Sequence, residues 1–278
     1  MTLGGSTPGG KRVAAREPVE HVPLRFPLPG DDRNIQLELL GGFRLHRGAT
    51  VITLPHRSQR LLAFLALRPG PVKRVHLAGT LWPESDEKRS NASLRSALFR
   101  LLAAASDAVD VTTETLALSD RVTVDLGGAS DLAARIVDAS ESRGWGHVQR
   151  SVTILGGELL PDWYDDWVLI EAENWRQLRM HTLETLAGQL VATERFAEAV
   201  AAGIAAVRAE PLRESARVAL ISAHLAEGNQ SEALREYEHY HRLLRAELNL
   251  EPTDRLRDLL RPVRPGLMER SNSAVTLG

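Results

Sequence analysis

Cysteine is absent from all 278 residues, which excludes disulfide frameworks, thiolate-zinc sites and cysteine nucleophiles together. Long apolar runs are missing too. No stretch approaches the ~18 consecutive apolar residues that read as a membrane-spanning helix. The N-terminal charges have no apolar core behind them, so the pattern of a secretory signal is lacking. Complete GxxxxGK[ST], GxGxxG and GxSxG motifs are also absent. The expectation is a cytoplasmic protein that is not an enzyme, with no catalytic residues, no cofactor and no membrane partner.

What remains is ample material for a core. Apolar residues make up 43% of the chain, and the length suits one large or two ordinary domains. The net charge of −2 hides a division. Residues 34–126 hold 12 Lys/Arg against 9 Asp/Glu, whereas residues 127–265 hold 16 against 22. A mildly basic half joined to an acidic half suits one module for DNA and another for protein contacts. Residues 1–33, rich in Gly, Pro and Arg and without a period, read as a disordered tail, and residues 266–278 read similarly.

The basic half mixes strand-like and helix-like pieces. "IQLELLGGFRLHRGATVITL" (Ile35 to Leu54) alternates apolar and polar residues with glycines at the turns, which predicts a small antiparallel sheet. "RSQRLLAFLALRPG" follows as a helix with Leu61, Leu62 and Leu65 on one face and Gly70 as a stop. "VKRVHLAGTLWP" gives a short helix, begun by Lys73 and Arg74 and ended before Pro83. A third helix starts after Ser85, a fair N-cap, and runs to about Ala105. "VDVTTETLALSDRVTVDL" closes the half as strand, turn, strand. A sheet, three helices and a hairpin is the order of a winged helix-turn-helix, in which the second helix crosses the DNA backbone and the third enters the major groove.

The third helix carries the sharpest signal. Leu94, Leu98, Leu101 and Leu102 form one stripe for the core. Ala92, Ser96 and Ala103 lie opposite, flanked by Arg89, Arg95, Phe99 and Arg100. No acidic residue occurs between Lys88 and Ala105. Small residues permit close approach to a groove, and arginines can reach guanine edges or phosphates. The candidate DNA-binding residues are therefore Arg57, Lys73, Arg74, Arg89, Ser93, Arg95, Ser96 and Arg100. Arg95 and Arg100 carry base or phosphate contacts, Ser93 and Ser96 support them, and Arg57, Lys73 and Arg74 meet phosphates.

These residues also resemble a family. "LELLGGFRLHRGATVITLPHRSQRLLAFLAL", "LAGTLWP" and "SNASLRSALFRLL" are similar to the OmpR-type DNA-binding domain of the Streptomyces antibiotic regulatory proteins. "LLPDWYDDWVLIEAENWRQLRMHTLETLA" resembles the bacterial transcriptional activator domain that follows it there. The resemblance implies a transcriptional activator of secondary-metabolite or related genes. It implies binding to direct repeats in promoters as double-stranded DNA, self-association on that DNA and recruitment of RNA polymerase holoenzyme, in the nucleoid. It also implies a small stand-alone member, since the chain ends where larger members carry further domains. The wing turn departs from the family. "TTET" holds Glu114 and no arginine, although Arg121 lies further on as a possible substitute.

The acidic half reads as helix almost throughout. Leu186 and Leu220, Ala192 and Ala226, Glu198 and Glu232, and Ala199 and Ala233 are each 34 positions apart, the period of tetratricopeptide helix pairs. "RFAEAV" and "NQSEAL" would begin equivalent helices. The expected fold is thus mainly α with a small β part: a winged helix over 34–126, then an all-α tetratricopeptide-like activator domain over 127–265. "PDWYDDW" (Pro161 to Trp167) places Asp165 and Asp166 side by side. Adjacent helical residues point about 100° apart, so an N-terminal capping role is expected rather than acid–base chemistry. Trp163, Tyr164, Trp167 and Trp175 are expected core anchors, and the glycines after Leu126 and Leu155 are expected turns. His239 and His241, two apart on a helix, face away from each other, so with His224 they predict no metal site. A second functional reading is a protein-interaction adaptor that works through the helical array and does not bind DNA.

Overall fold

The computed structural model describes residues 35–138 and 148–263, so both expected tails lie outside the described residues. The chain opens with strands β1 (Ile35–Glu38), β2 (Arg44–Arg47) and β3 (Thr50–Val51). Helix α1 (His56–Ala66) ends near Gly70, whose φ of 77° is a conformation that glycine adopts without penalty. A two-residue strand β4 (Val72–Lys73) leads into α2 (Arg74–Leu81), so Lys73 precedes the helix instead of starting it. Helix α3 (Glu87–Ala105) follows. Its N-cap is Asp86, not Ser85: the Asp86 carboxylate accepts a 2.8 Å bond from the Arg89 backbone N–H, a cap worth ~1 kcal/mol.

A 3-10 turn leads to β5 (Val109–Val111), β6 (Thr115–Leu118) and β7 (Val122–Val124). Strands β5 and β6 form the hairpin and recruit β4, in the order β4-β6-β5. The opening sheet has the order β3-β2-β1-β7. Its β1–β2 and β2–β3 pairs are antiparallel as expected, but β7 joins β1 in parallel, with Ile35 opposite Val122 and Leu37 opposite Val124.

The remainder is helical: α4 (Asp125–Asp138), α5 (Val148–Leu155), α6 (Asp166–Ala192), α7 (Phe196–Ala209), α8 (Glu214–Ala226), α9 (Gln230–Leu248) and α10 (Asp254–Leu260). Gly127 and Gly128 lie inside α4 rather than in a turn, whereas Gly156 does end α5. The repeat is realised in space. Helices α7 and α9 begin 34 positions apart, and Leu186, Leu220, Ala199 and Ala233 are all buried. The architecture is a winged helix-turn-helix followed by tetratricopeptide-like helix pairs.

The two halves share one hydrophobic core, which runs from Ile35 of β1 to Ala223 of α8. A second, smaller cluster gathers Ile221, Tyr237, Tyr240, Leu244, Leu256 and Leu260. Two devices bind the halves. The first is backbone: Leu160 N–H donates to Leu39 O at 2.9 Å, and Leu40 bridges to Leu159. Beside it the buried Asp125 carboxylate accepts from the N–H groups of Leu39, Leu40 and Leu126 at 2.9, 3.0 and 2.7 Å. The second is aromatic and built by "PDWYDDW". Trp167 stands edge-on to Phe64 of α1 at 5.1 Å, and Trp163 packs on His56 and Phe43. Asp165 occupies the N-cap position of α6 but makes no side-chain cap; its carboxylate instead pairs with Arg60 of α1. Trp167 and Trp175 are core anchors and Trp163 is half-buried, but Tyr164 is 81% exposed and anchors nothing.

Candidate nucleic-acid interface

Helix α3 is seated by its apolar face. Leu94, Ala97, Leu98, Leu101 and Ala105 are buried, whereas Leu102 is only half-buried at the edge. Ser58, fully buried on α1, donates its hydroxyl to the Ala97 carbonyl at 2.9 Å, so α1 and α3 are tied at their crossing. Such a buried bond is worth ~1 kcal/mol. Most of that face is spent on packing, which leaves one outward strip of fixed orientation.

The strip bears out the periodicity and refines it. Lys88, Arg89, Ala92, Arg95, Ser96, Phe99, Arg100 and Ala103 are exposed, and Ser93 is half-buried at the margin. At about 100° per residue, Ala92, Ser96 and Ala103 fall in the middle of the strip, and Phe99 stands between them and the edge that carries Arg95. Phe99 is on the flank, and its ring is exposed there. Arg95 lies on one edge and Arg89 and Arg100 on the other. Arg89 rests 3.4 Å from Asp86, an exposed pair that water screens and that contributes little. The side-chain amide of Asn91 donates to the Glu87 carbonyl at 2.8 Å. Lys88 and Asn91 near the start of α3 were not among the candidates read from the sequence; Lys88 is exposed, and Asn91 is half-buried toward the leucine side.

The other predicted cations lie on separate elements. Arg57 is exposed on the first turn of α1, and Lys73 is exposed beside the hairpin. Lys73 pairs with Thr115 in the β4–β6 register, and Arg74 N–H donates to the Glu114 carbonyl at 2.9 Å. The start of α2 and the wing turn are thus one structure. The turn itself is closed by Thr112, whose hydroxyl oxygen accepts from Thr115 N–H at 2.9 Å. "TTET" itself carries no cation, and the exposed cation beside it is Lys73. Arg121 cannot substitute for it, because it sits in the β6–β7 turn at the far end of β6, where its carbonyl accepts from Ile35. Arg74 is half-buried, and its Nε is enclosed without a partner among the described residues.

The surface so assembled offers guanidinium forks and an ammonium around a narrow, acid-free helix face. Such a surface is chemically suited to an anionic partner. Among the described residues no group of three or more His, Asp or Glu side chains is placed to hold a metal ion, and no helix is long and apolar enough to cross a membrane.

Comparison with known proteins bears on both halves. The chain is 30% identical over 266 residues to the regulatory protein AfsR of Streptomyces griseus, and 30% identical over 265 residues to AfsR of Streptomyces coelicolor. Each match takes in 90% of this chain and 26% of the relative, so the chain spans about a quarter of the length of these curated relatives. The fold is similar to that of Mycobacterium tuberculosis EmbR, solved in complex with a low affinity phosphopeptide. The TM-score is 0.63 and the identity 24%, over 86% of this chain and 68% of that one. Residues 133–264 match the family of the bacterial transcriptional activator domain, and with them the acidic helical half of this chain has its place among known proteins.

Proposed function

We propose that this chain is a sequence-specific DNA-binding transcriptional activator of the Streptomyces antibiotic regulatory type, a regulator and not an enzyme. Its winged-helix domain spans residues 34–126 and its activator domain residues 127–265. Helix α3 enters the major groove. Arg95 and Arg100 contact bases or phosphates, with Arg89, Ser93 and Ser96 beside them. Arg57, Lys73 and Arg74 grip the phosphates that flank the groove. The helical domain recruits RNA polymerase holoenzyme and supports contacts between copies bound to direct repeats, in the cytoplasm on the nucleoid. The genes controlled serve secondary metabolism or related pathways. One observation carries this reading: the outward strip of α3 holds four cations and no acid beyond its first turn, on a helix whose other face is fixed in the core.

The experiment is an anisotropy titration against promoter fragments from the chain's own genomic neighbourhood, at two salt concentrations, with random duplex as competitor. Each neutralised phosphate steepens the fall of log affinity with log salt by about 0.9. Tight, competitor-resistant binding with a slope of about −4 or steeper supports the reading. Binding no better than to random DNA on every fragment favours the second reading, a protein-interaction adaptor acting through the helical array. That alternative draws on the exposed Glu114 at the wing tip. A pull-down with the full chain would then seek its partner.

A further inference from the structure

Phe99 is the part of the α3 strip that the proposed contacts leave unused. Its side chain is 75% exposed. Single exposed apolar residues are common, so exposure by itself decides little. The surroundings decide. Along the strip its neighbours are Ser96 three positions before and Ala103 four positions after, both small and both exposed. The ring therefore stands clear of the helix surface. The charged side chains around it, Arg95 and Arg100, are cationic, and no acidic residue occurs between Lys88 and Ala105. A partner for this strip is anionic at its rims and apolar at the depth the ring reaches. The major groove of B-DNA has that layout: phosphates line both sides, and the C5-methyl of thymine is the apolar group presented on its floor.

We infer that Phe99 is a specificity-determining residue that packs its ring on a thymine C5-methyl. The arginines on either edge hold the helix at the depth where ring and methyl meet. The inference rests on the DNA-binding reading, so the experiment separates the two. The full chain selects its preferred sequence from a randomised duplex pool. The selected duplex is then titrated by anisotropy, with each thymine replaced in turn by deoxyuridine, which lacks only the methyl. Parent and Phe99→Ala are compared.

At one or two positions deoxyuridine should weaken the parent about fourfold, the worth of one buried methyl. Phe99→Ala should bind the thymine duplex about tenfold more weakly or worse, and should be indifferent to deoxyuridine at those positions. The deoxyuridine scan on the parent needs no variant, so a misfolded mutant cannot obscure the answer. A selection that yields no preferred sequence overturns the DNA-binding reading and this inference with it. A selected site without thymine overturns the inference alone, as does a scan that leaves the parent unchanged. Phe99→Ala that keeps full affinity but loses transcription activation in vitro also overturns it, since the ring would then face a protein.

Discussion

Helices α7 and α8 meet at Gly203, and the closeness of that meeting can be tested by adding one methyl group. A Cβ at residue 203 would stand 2.8 Å from Leu220 Cα and 3.1 Å from Leu220 Cβ. Carbon atoms rest at about 3.5–4.0 Å, so one side must retreat by about 0.7 Å or more. The nearest obstacle is backbone, which has no rotamer to escape into, so the two helices themselves must part. Leu220 is 2% exposed and belongs to the repeat that stacks these helices. Overpacking of this kind costs ~1–3 kcal/mol, and alanine returns about 1 kcal/mol of helix propensity. Gly203→Ala should therefore lose up to about 2 kcal/mol. Gly188, in α6, is the internal control: it is exposed, and a Cβ there meets nothing within 4 Å. Gly188→Ala should gain about 0.5–1 kcal/mol from propensity alone. Denaturant unfolding of the parent and both variants reads the difference. If the two substitutions stabilise the chain equally, the close contact between α7 and α8 does not exist.

Three further outcomes are expected. Leu98→Ala removes a side chain only 6% exposed beneath α3 and should lose about 2–5 kcal/mol of stability in the same assay. Arg95→Ala should weaken the cognate duplex by about 1–3 kcal/mol and random duplex far less; equal losses on both would make Arg95 a phosphate contact only. Asp125 gives a pH dependence. Burial pushes its carboxyl up to about 6 from an ordinary 3.8, against the pull of three backbone N–H donors. The folded chain therefore holds a proton there that the unfolded chain has released. The contribution is fully present below about pH 4 and is lost as pH rises through about 6, by on the order of 2–3 kcal/mol. Asp125→Asn should flatten this slope in unfolding curves taken across that window, and should lower stability throughout, because its amide would face the Leu40 N–H.

Local signals were legible in the residues. The leucine period set α3, and the 34-residue offset placed the starts of α7 and α9 in step. Capping chemistry marked the start of α3 to within one residue, since Ser85 and Asp86 both carry an acceptor oxygen and only the geometry chooses between them. Long-range pairing was not legible. β7 joins β1 across some eighty residues, and a three-residue strand shows no sign of its partner or its direction. The role of "PDWYDDW" was hidden for the same reason. Its carboxylates suggested a cap, but Arg60, more than a hundred positions earlier, takes Asp165 instead. Tyr164 failed as an anchor because aromatic character does not tell which way a loop residue faces. On the candidate surface the exposed cations of α3 were readable by type and spacing. That Lys73 stands beside the wing turn was not, because the β4–β6 pairing that puts it there rests on two residues.

The joint between the halves has a consequence for how a promoter would be arranged. α1 braces α3 on one side and, through Phe64, Arg60 and His56, meets the start of α6 on the other. With one core shared between them, the helical array keeps a fixed bearing relative to α3. With α3 in the groove as proposed, such a body would behave as a rigid arm: the azimuth at which its far end emerges would be dictated by the base pair on which α3 sits. Shifting a site by about five base pairs, half of a ~10-base-pair turn, would swing the array to the opposite side of the duplex. Shifting it by a whole turn would restore the bearing at a new distance. Spacing between sites would then be counted in turns of the helix, not in base pairs.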